Sequence, residues 1–534
     1  MSIKLEERRL RVEELVGEEV ATITAEGTLE IPAHQPDVQR VLRFRALPAV
    51  ASTKVVDERV VVSGTVAAHL LYVANSPDDS AAQEPVFAAD AREAIEFEHT
   101  FDMPGLAGGD EVEAAASVIS TQARTTADPR QAALEVDLEI AVKVRRASEV
   151  TIVTNALAIP PEKIRLTREP LRLEQAIGSG ATLYNLQFEA ALPERRADIA
   201  RLLDLDVRPS LINATAEVGQ VTLRGEAHCG ATYTSVDSAA RENGASPESI
   251  NYVAFDAQPF ICSIEMPDAQ PGMIVYPRVA LVRATTSVPS ARQVSISATL
   301  ALGARLVDPL SLHAITDVAS DTEETIETRK EAVTVEDVLG RNADRTAVTG
   351  KLDLPAARPD ADRILSWDVQ FRRRNVEVKN EKVVIEGVLS ASVLYIADVP
   401  LGTQPLQFVE FPEAIDATIV VDLKGVEPEM AADASASVLS SRVDLVDQDT
   451  FQVNAVVEAE VRAKQNKQTD LVVEAVAIGP VPERPPSIVL VSVQPGDTLW
   501  KLSRRFRTSA DAILRANGLA EGASLRPGMK LRIR

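Results

Sequence analysis

Apolar and polar residues alternate one for one over residues 60–74, 221–234 and 383–397, the period of strands with one buried face. Each run has a glycine near its start (Gly64, Gly225, Gly387) and a tyrosine near its end (Tyr72, Tyr233, Tyr395), in the same register. The tyrosine face is apolar in every copy and predicts the core: Val66, Ala68 and Leu70; Ala227, Cys229 and Ala231; Leu389, Ala391 and Val393. A second alternating run ends each copy, centred on Ile140, Ala298 and Val457, and shorter strands are expected at 97–103, 260–266 and 417–423. Polar, proline-rich loops are expected at 76–85, 235–259 and 398–405, connecting stretches at about 148–170 and 308–332, and a charged helix at 5–16.

The same motif precedes each long strand: an Ile-Pro or Leu-Pro pair, then Pro or Ala, Asp, Arg and Leu at fixed offsets. Its copies begin at Ile31, Leu192 and Leu354, 161 and 162 residues apart, so a unit of domain size is repeated in tandem. Proline followed by Asp suits the first turn of a short helix, and Asp37 with Arg40, Asp198 with Arg201, and Asp360 with Arg363 are then spaced to pair across one turn. These residues are expected to be structural, because nothing nucleophilic or metal-binding recurs beside them. Leu42, Leu203 and Leu365 should turn inward. Many strands and few helices make the fold mainly β, with three tandem β-sandwich-like repeats at 1–150, 170–308 and 333–465. A stiff proline-rich linker at 479–487 and a small βααβ domain at 488–534 follow.

Composition narrows the class. The 534 residues are 45% hydrophobic with two cysteines, which predicts a soluble chain from a reducing compartment without a disulfide framework. No apolar stretch is long enough to span a membrane, and residues 1–19 do not read as a secretion signal. The net charge of −23 is uneven. Residues 488–534 carry +6, which leaves −29 on the rest and argues against nucleic-acid binding and for an acidic partner of the last domain.

In that domain a short strand at 489–493 leads through Pro495-Gly496 to a helix begun by Asp497 or Thr498. Ser509 caps a second helix through Asn517, and residues 526–533 give a turn and closing strand, with Leu499, Leu502, Phe506, Ile513, Leu514 and Leu531 as core. The runs P-G-D-T-L-W-K-L, A-x2-I-L-x2-N-G-L and L-x-P-G-M-K-L resemble the LysM family. That resemblance implies a groove for glycans containing N-acetylglucosamine at Gly496, Asp497, Thr498, Leu499, Asn517, Gly518, Leu519 and Leu525. Val491 stands where the family often has Tyr, and Arg507 where a helix-ending Gly is common. The helical period puts Lys501, Arg504 and Arg505 on the outer side, joined by Arg507 and Arg515, as a basic face for a protein partner.

The three repeats resemble SPOCS domains, found in proteins of bacterial endospore coat assembly, and three such units followed by one LysM resemble a spore coat morphogenesis protein. What this implies is a non-enzymatic scaffold in the mother-cell cytoplasm, at the forespore surface, whose LysM domain binds a SpoIVA-like coat ATPase. The alternative is a peptidoglycan-binding protein that uses the LysM groove. No cofactor, metal site or catalytic residue is predicted. The five histidines do not recur between repeats, the cysteines form no CxxC, and there is no P-loop or GxSxG. Cys229 replaces an alanine of the other copies and reads as an apolar filler.

Overall fold

The structure is a computed structural model that describes residues 2–75, 84–159, 164–236, 248–320, 324–400, 403–480, 490–520 and 522–533. Unit 1 comprises β1 (Ser2–Glu30), β2 (Val38–Val56), β3 (Arg59–Ala74), β4 (Val86–Asp102), β5 (Glu111–Thr125) and β6 (Gln131–Ile159). The antiparallel sheets β2-β3-β4 and β1-β6-β5 pack face to face. Unit 2 repeats this with β7 (Ile164–Ala191), β8 (Arg201–Glu217), β9 (Gln220–Val236), β10 (Glu248–Ala254), β11 (Gln258–Glu265), β12 (Ile274–Ser290) and β13 (Gln293–Ser320). Here β10 and β11 together do the work of β4, each pairing with one half of β9. Unit 3 consists of β14 (Glu324–Asp353), β15 (Ala361–Lys379), β16 (Lys382–Ala397), β17 (Leu406–Asp422), β18 (Ala431–Asp447) and β19 (Thr450–Pro480). The chain is mainly β, as its alternation predicts.

The tyrosine faces of β3, β9 and β16 are the cores of their units, and Tyr72, Tyr233 and Tyr395 are fully buried. Each phenol donates a hydrogen bond to the backbone carbonyl of the motif residue before Asp: Pro36 at 3.0 Å, Ala197 at 3.1 Å and Pro359 at 3.1 Å. The recurring tyrosine therefore ties the motif loop to the sandwich, satisfying its own buried hydroxyl. Gly64, Gly225 and Gly387 occupy equivalent strand positions, each covered by an aromatic ring with no room for a side chain: a Cβ would lie closer than 3.0 Å to backbone and ring atoms. Phe97 and Phe260 provide the ring in units 1 and 2. In unit 3, where Ala417 pairs with Gly387, Phe371 provides it from the opposite neighbouring strand.

Several local expectations are corrected. Residues 5–16 are strand, part of β1, because Leu10 is buried in a core shared by all three units. The motif forms a turn entering a strand, so the Asp and Arg are not helical partners. Asp37 pairs with Arg130 at 3.0 Å and Asp198 with Arg292 at 2.6 Å, both within their own unit. The motif arginines reach outward in two copies: Arg201 stacks on Phe87 of unit 1, and Arg363 donates to the Ile250 carbonyl of unit 2. Arg40 pairs with Glu84, and Asp360 has no ion pair among the described residues. Leu42, Leu203 and Leu365 do turn inward, but into an apolar cluster where the three units meet, with Leu71, Ile250, Leu394 and Leu406.

The stretches expected to connect units are also strand where described. β1–β6, β7–β13 and β14–β19 form three long ribbons that extend beyond their sandwiches. Each bulges at Val16, Ile177 or Leu339, beside the repeated Gly17, Gly178 and Gly340. A bulge bends and twists a strand, and here it marks the passage from sandwich to shared hub. In the hub Leu10 and Ile152, Leu171, Leu173 and Leu312, and Val335 and Leu471 form one cluster. Beyond Pro480 the expected linker lies outside the described residues, as do most of the loop at 76–85, residues 237–247 of the loop expected at 235–259, and residues 321–323 of the acidic run.

Candidate functional site

The last module contains β20 (Leu490–Ser492), α1 (Leu499–Arg505), α2 (Ala510–Ala516) and β21 (Lys530–Arg532), with β20 and β21 antiparallel. Its core is Val493, Leu502, Ile513, Leu531 and Ile533, against which Leu499, Phe506, Leu519 and Leu525 pack. Both helices start as their sequence directs. Thr498 Oγ1 accepts from the Lys501 backbone N–H at 3.2 Å, and Ser509 Oγ from that of Ala512 at 3.1 Å.

The polar side chains expected to line the groove are engaged by the module's own backbone. Asp497 accepts from the Gln494 N–H at 2.8 Å. The Asn517 amide donates to the carbonyls of Ile513 at 2.7 Å and Arg532 at 2.6 Å, and accepts from the Arg532 N–H at 2.6 Å. Asn517 therefore fastens the end of α2 to β21. Gly496 and Gly518 are exposed with φ of +86° and +62°, and Leu499, Leu519 and Leu525, the apolar residues expected in the groove, pack against the module's core.

The basic face has a different character. Lys501, Arg504, Arg505, Arg507 and Arg515 are all exposed. Lys501 donates to the Gly496 carbonyl at 3.0 Å and Arg515 to that of Asp511 at 3.4 Å. Among the described residues, Lys501, Arg505, Arg507 and Arg515 have no carboxylate partner. Arg504 does, since its guanidinium reaches Asp317 of unit 2 at 2.6 Å, so it is not free surface in this structure. Arg507 adopts φ +49° at the end of α1, the conformation glycine takes most easily.

A second charged cluster, which the sequence reading missed, lies where the units meet. Asp204, 4% exposed, is approached by Arg43 at 3.0 Å, Arg45 at 2.7 Å and His69 at 3.3 Å, all from unit 1. Burial pushes the Asp204 carboxyl up, but Arg45, His69 and Arg43 outweigh it and hold the group at about 2. On the unit 3 side, Arg208 of unit 2 donates to the Trp367 carbonyl at 2.5 Å, and Phe408 lies under Arg43, 4.9 Å from its ring centre. The small polar cavity between these groups has room for about one water. At the hub end Arg305 pairs with Glu13 at 2.9 Å and Arg462 with Glu174 at 3.0 Å. These are equivalent contacts, made from unit 2 to unit 1 and from unit 3 to unit 2. Both sets left a sequence signal: the motif leucine, repeated in all copies yet absent from the tyrosine face, and Glu13, Glu174 and Glu336, spaced 161 and 162 residues apart. Such groups hold the units together.

Cys229 is buried in the unit 2 core, and its surroundings push the thiol up to about 12, which suits a filler and not a nucleophile. Among the described residues no His, Cys, Asp and Glu group is arranged to hold a metal ion. Among the described residues no helix is long and apolar enough to cross a membrane.

Comparison with known families matches residues 37–126, 198–288 and 360–446 to the SipL, SPOCS domain and residues 491–534 to the LysM domain. Each SPOCS match begins at the motif aspartate. No curated protein and no solved structure matches the chain.

Proposed function

Because the chain belongs to the SipL family of SPOCS-domain proteins, we propose that it is a non-enzymatic scaffold of endospore coat assembly, recruited to the forespore surface by a protein that its LysM module binds. Its domains are those of a sporulation-related protein with a module of the peptidoglycan-binding kind, and they are binding and scaffold families, not enzymatic ones. The observation that carries the proposal is the unpaired basic surface of the module. Lys501, Arg505, Arg507 and Arg515 lack acidic partners among the described residues, in a chain of net charge −23. Four cations without counter-charge suit an acidic protein surface, and add little to the binding of a neutral sugar. The domain order makes a SpoIVA-like coat ATPase in the mother-cell cytoplasm the first partner to test.

A fluorescent fusion followed in sporulating cells tests the reading. The unaltered chain should ring the forespore, and Arg505→Glu with Arg515→Glu, both on exposed helix positions, should leave it diffuse. Retained localisation of the double variant would remove charge as the means of recruitment. One observation favours a glycan instead: the open backbone at Gly496 and Gly518, close in the chain to Leu499 and Leu519, is a surface on which a sugar ring could lie. Chemical shifts of those residues, moved by uncharged chitin oligomers, would support that alternative.

A further inference from the structure

The LysM module touches the body through an unusual residue. Each hub ribbon carries a second bulge, and the residue flanking it is Asn155 in unit 1, Asp317 in unit 2 and Glu474 in unit 3. The outer two have local partners: Asn155 donates to Glu6 at 3.0 Å, and Glu474 pairs with Arg329 on the surface at 3.2 Å. Asp317 differs in being buried, with only 6% of its side chain exposed. It is held by Lys330 of unit 3 at 3.3 Å and by Arg504 of the module at 2.6 Å. A carboxylate so removed from water needs both cations. Arg504 in turn lies over its own Trp500, 5.5 Å from the ring centre, which fixes the direction of the guanidinium.

We infer that the recess around Asp317 is a docking site for the LysM module, and that it presents to Arg504 the same chemistry that a protein partner offers. Resting on the reading that the module binds protein through its basic face, this assigns the partner a feature: a recessed carboxylate, flanked by a base or by apolar surface, able to replace Asp317 at Arg504. The docked arrangement and the partner-bound one compete for a single guanidinium. A partner then meets a module only part of which is undocked, and its apparent affinity falls by that fraction.

Two variants of the full chain separate the possibilities. Asp317→Asn and Arg504→Glu should both release the module, which small-angle scattering reads as a larger radius of gyration at low salt. They should act oppositely on binding of a fluorescent oligoglutamate peptide, followed by anisotropy. Asp317→Asn should tighten binding roughly three- to tenfold by removing the competitor, and Arg504→Glu should weaken it. Arg504 is on the module's exposed face, so its variant keeps the test valid if Asp317→Asn disturbs the hub. An unchanged radius of gyration in Arg504→Glu overturns the docking. A released module in Asp317→Asn without tighter peptide binding overturns the competition. If the peptide binds no variant and not the parent chain, the protein-binding reading fails, while the scattering result still decides whether the module is docked.

Discussion

The three-unit body and the LysM module use their charged residues in opposite ways. In the body, arginines face carboxylates of a neighbouring unit: Arg43 and Arg45 at Asp204, Arg305 at Glu13, Arg341 and Arg462 at Glu174. These pairs flank apolar clusters to which all three units contribute, so the body closes upon itself. In the module an apolar core a few residues across is surrounded by cations, and among the described residues only Arg504 of this face has a carboxylate partner. The contrast assigns the work: charge in the body specifies how units fit together, and charge in the module remains available to something else.

The largest way to break the comparison is at the junction of units. Leu203→Ala removes a 1% exposed side chain from the cluster shared by all three and should cost about 3 kcal/mol. Chemical denaturation should show this as an earlier transition of the body, with the amide spectrum of the module unchanged. A loss confined to unit 2 would mean that the units do not stabilise one another. Within a unit, Gly225→Ala should cost up to about 3 kcal/mol, because the added methyl meets the Ser210 carbonyl and the Phe260 ring and the backbone cannot yield. A thermal midpoint equal to that of the parent would refute the close approach.

How much of this was legible in the sequence depended on whether the signal was local. The buried strand faces, the helix caps at Thr498 and Ser509 and the repeated glycines followed from period and residue type. The N-terminal strand did not, since Glu, Arg and Leu favour helix in isolation. Leu10 is held in β1 by a hub whose other buried members are more than a hundred residues away. The Asp/Arg motif misled for a similar reason. Its spacing fits a helical turn, whereas the tyrosine that holds the loop is 36 residues further on and, for Arg201 and Arg363, the arginine's partner belongs to another unit. In the module, Asn517 was expected in the groove. Its bonds to Arg532 come from the far end of the chain segment, and no spacing announces them.

Acid should sharpen the difference between body and module. Asp204 is held at about 2 when folded and titrates near 3.9 when unfolded. Its contribution, about 2 kcal/mol, is thus complete above pH ~4 and lost as the pH falls toward ~2. Asp433, which Lys464, Lys143 and Arg462 hold at about 2 against the upward push of burial, adds a loss of the same sign at the contact between units 1 and 3. Denaturant midpoints measured between those pH values should fall for the parent and fall less for Asp204→Asn. A parent midpoint independent of pH would contradict the ionic junction.

The smallest effect is expected in the module. Arg507→Gly relieves a left-handed backbone at the end of α1 and should stabilise the module by about 1 kcal/mol. Melting followed through the module's own amide signals measures it, and a destabilised variant would show that the Arg507 side chain contributes more than its strained backbone costs.

The central claim is that the module recognises protein through charge. Titration of the full chain with a purified SpoIVA-like coat ATPase and, separately, with chitin oligomers, each at about 0.05 M and about 0.5 M salt, tests it most directly. The account predicts binding to the ATPase that weakens tenfold or more at the higher salt, with no measurable binding to chitin at either. Tight, salt-insensitive binding to chitin, with no binding to the ATPase, would contradict it.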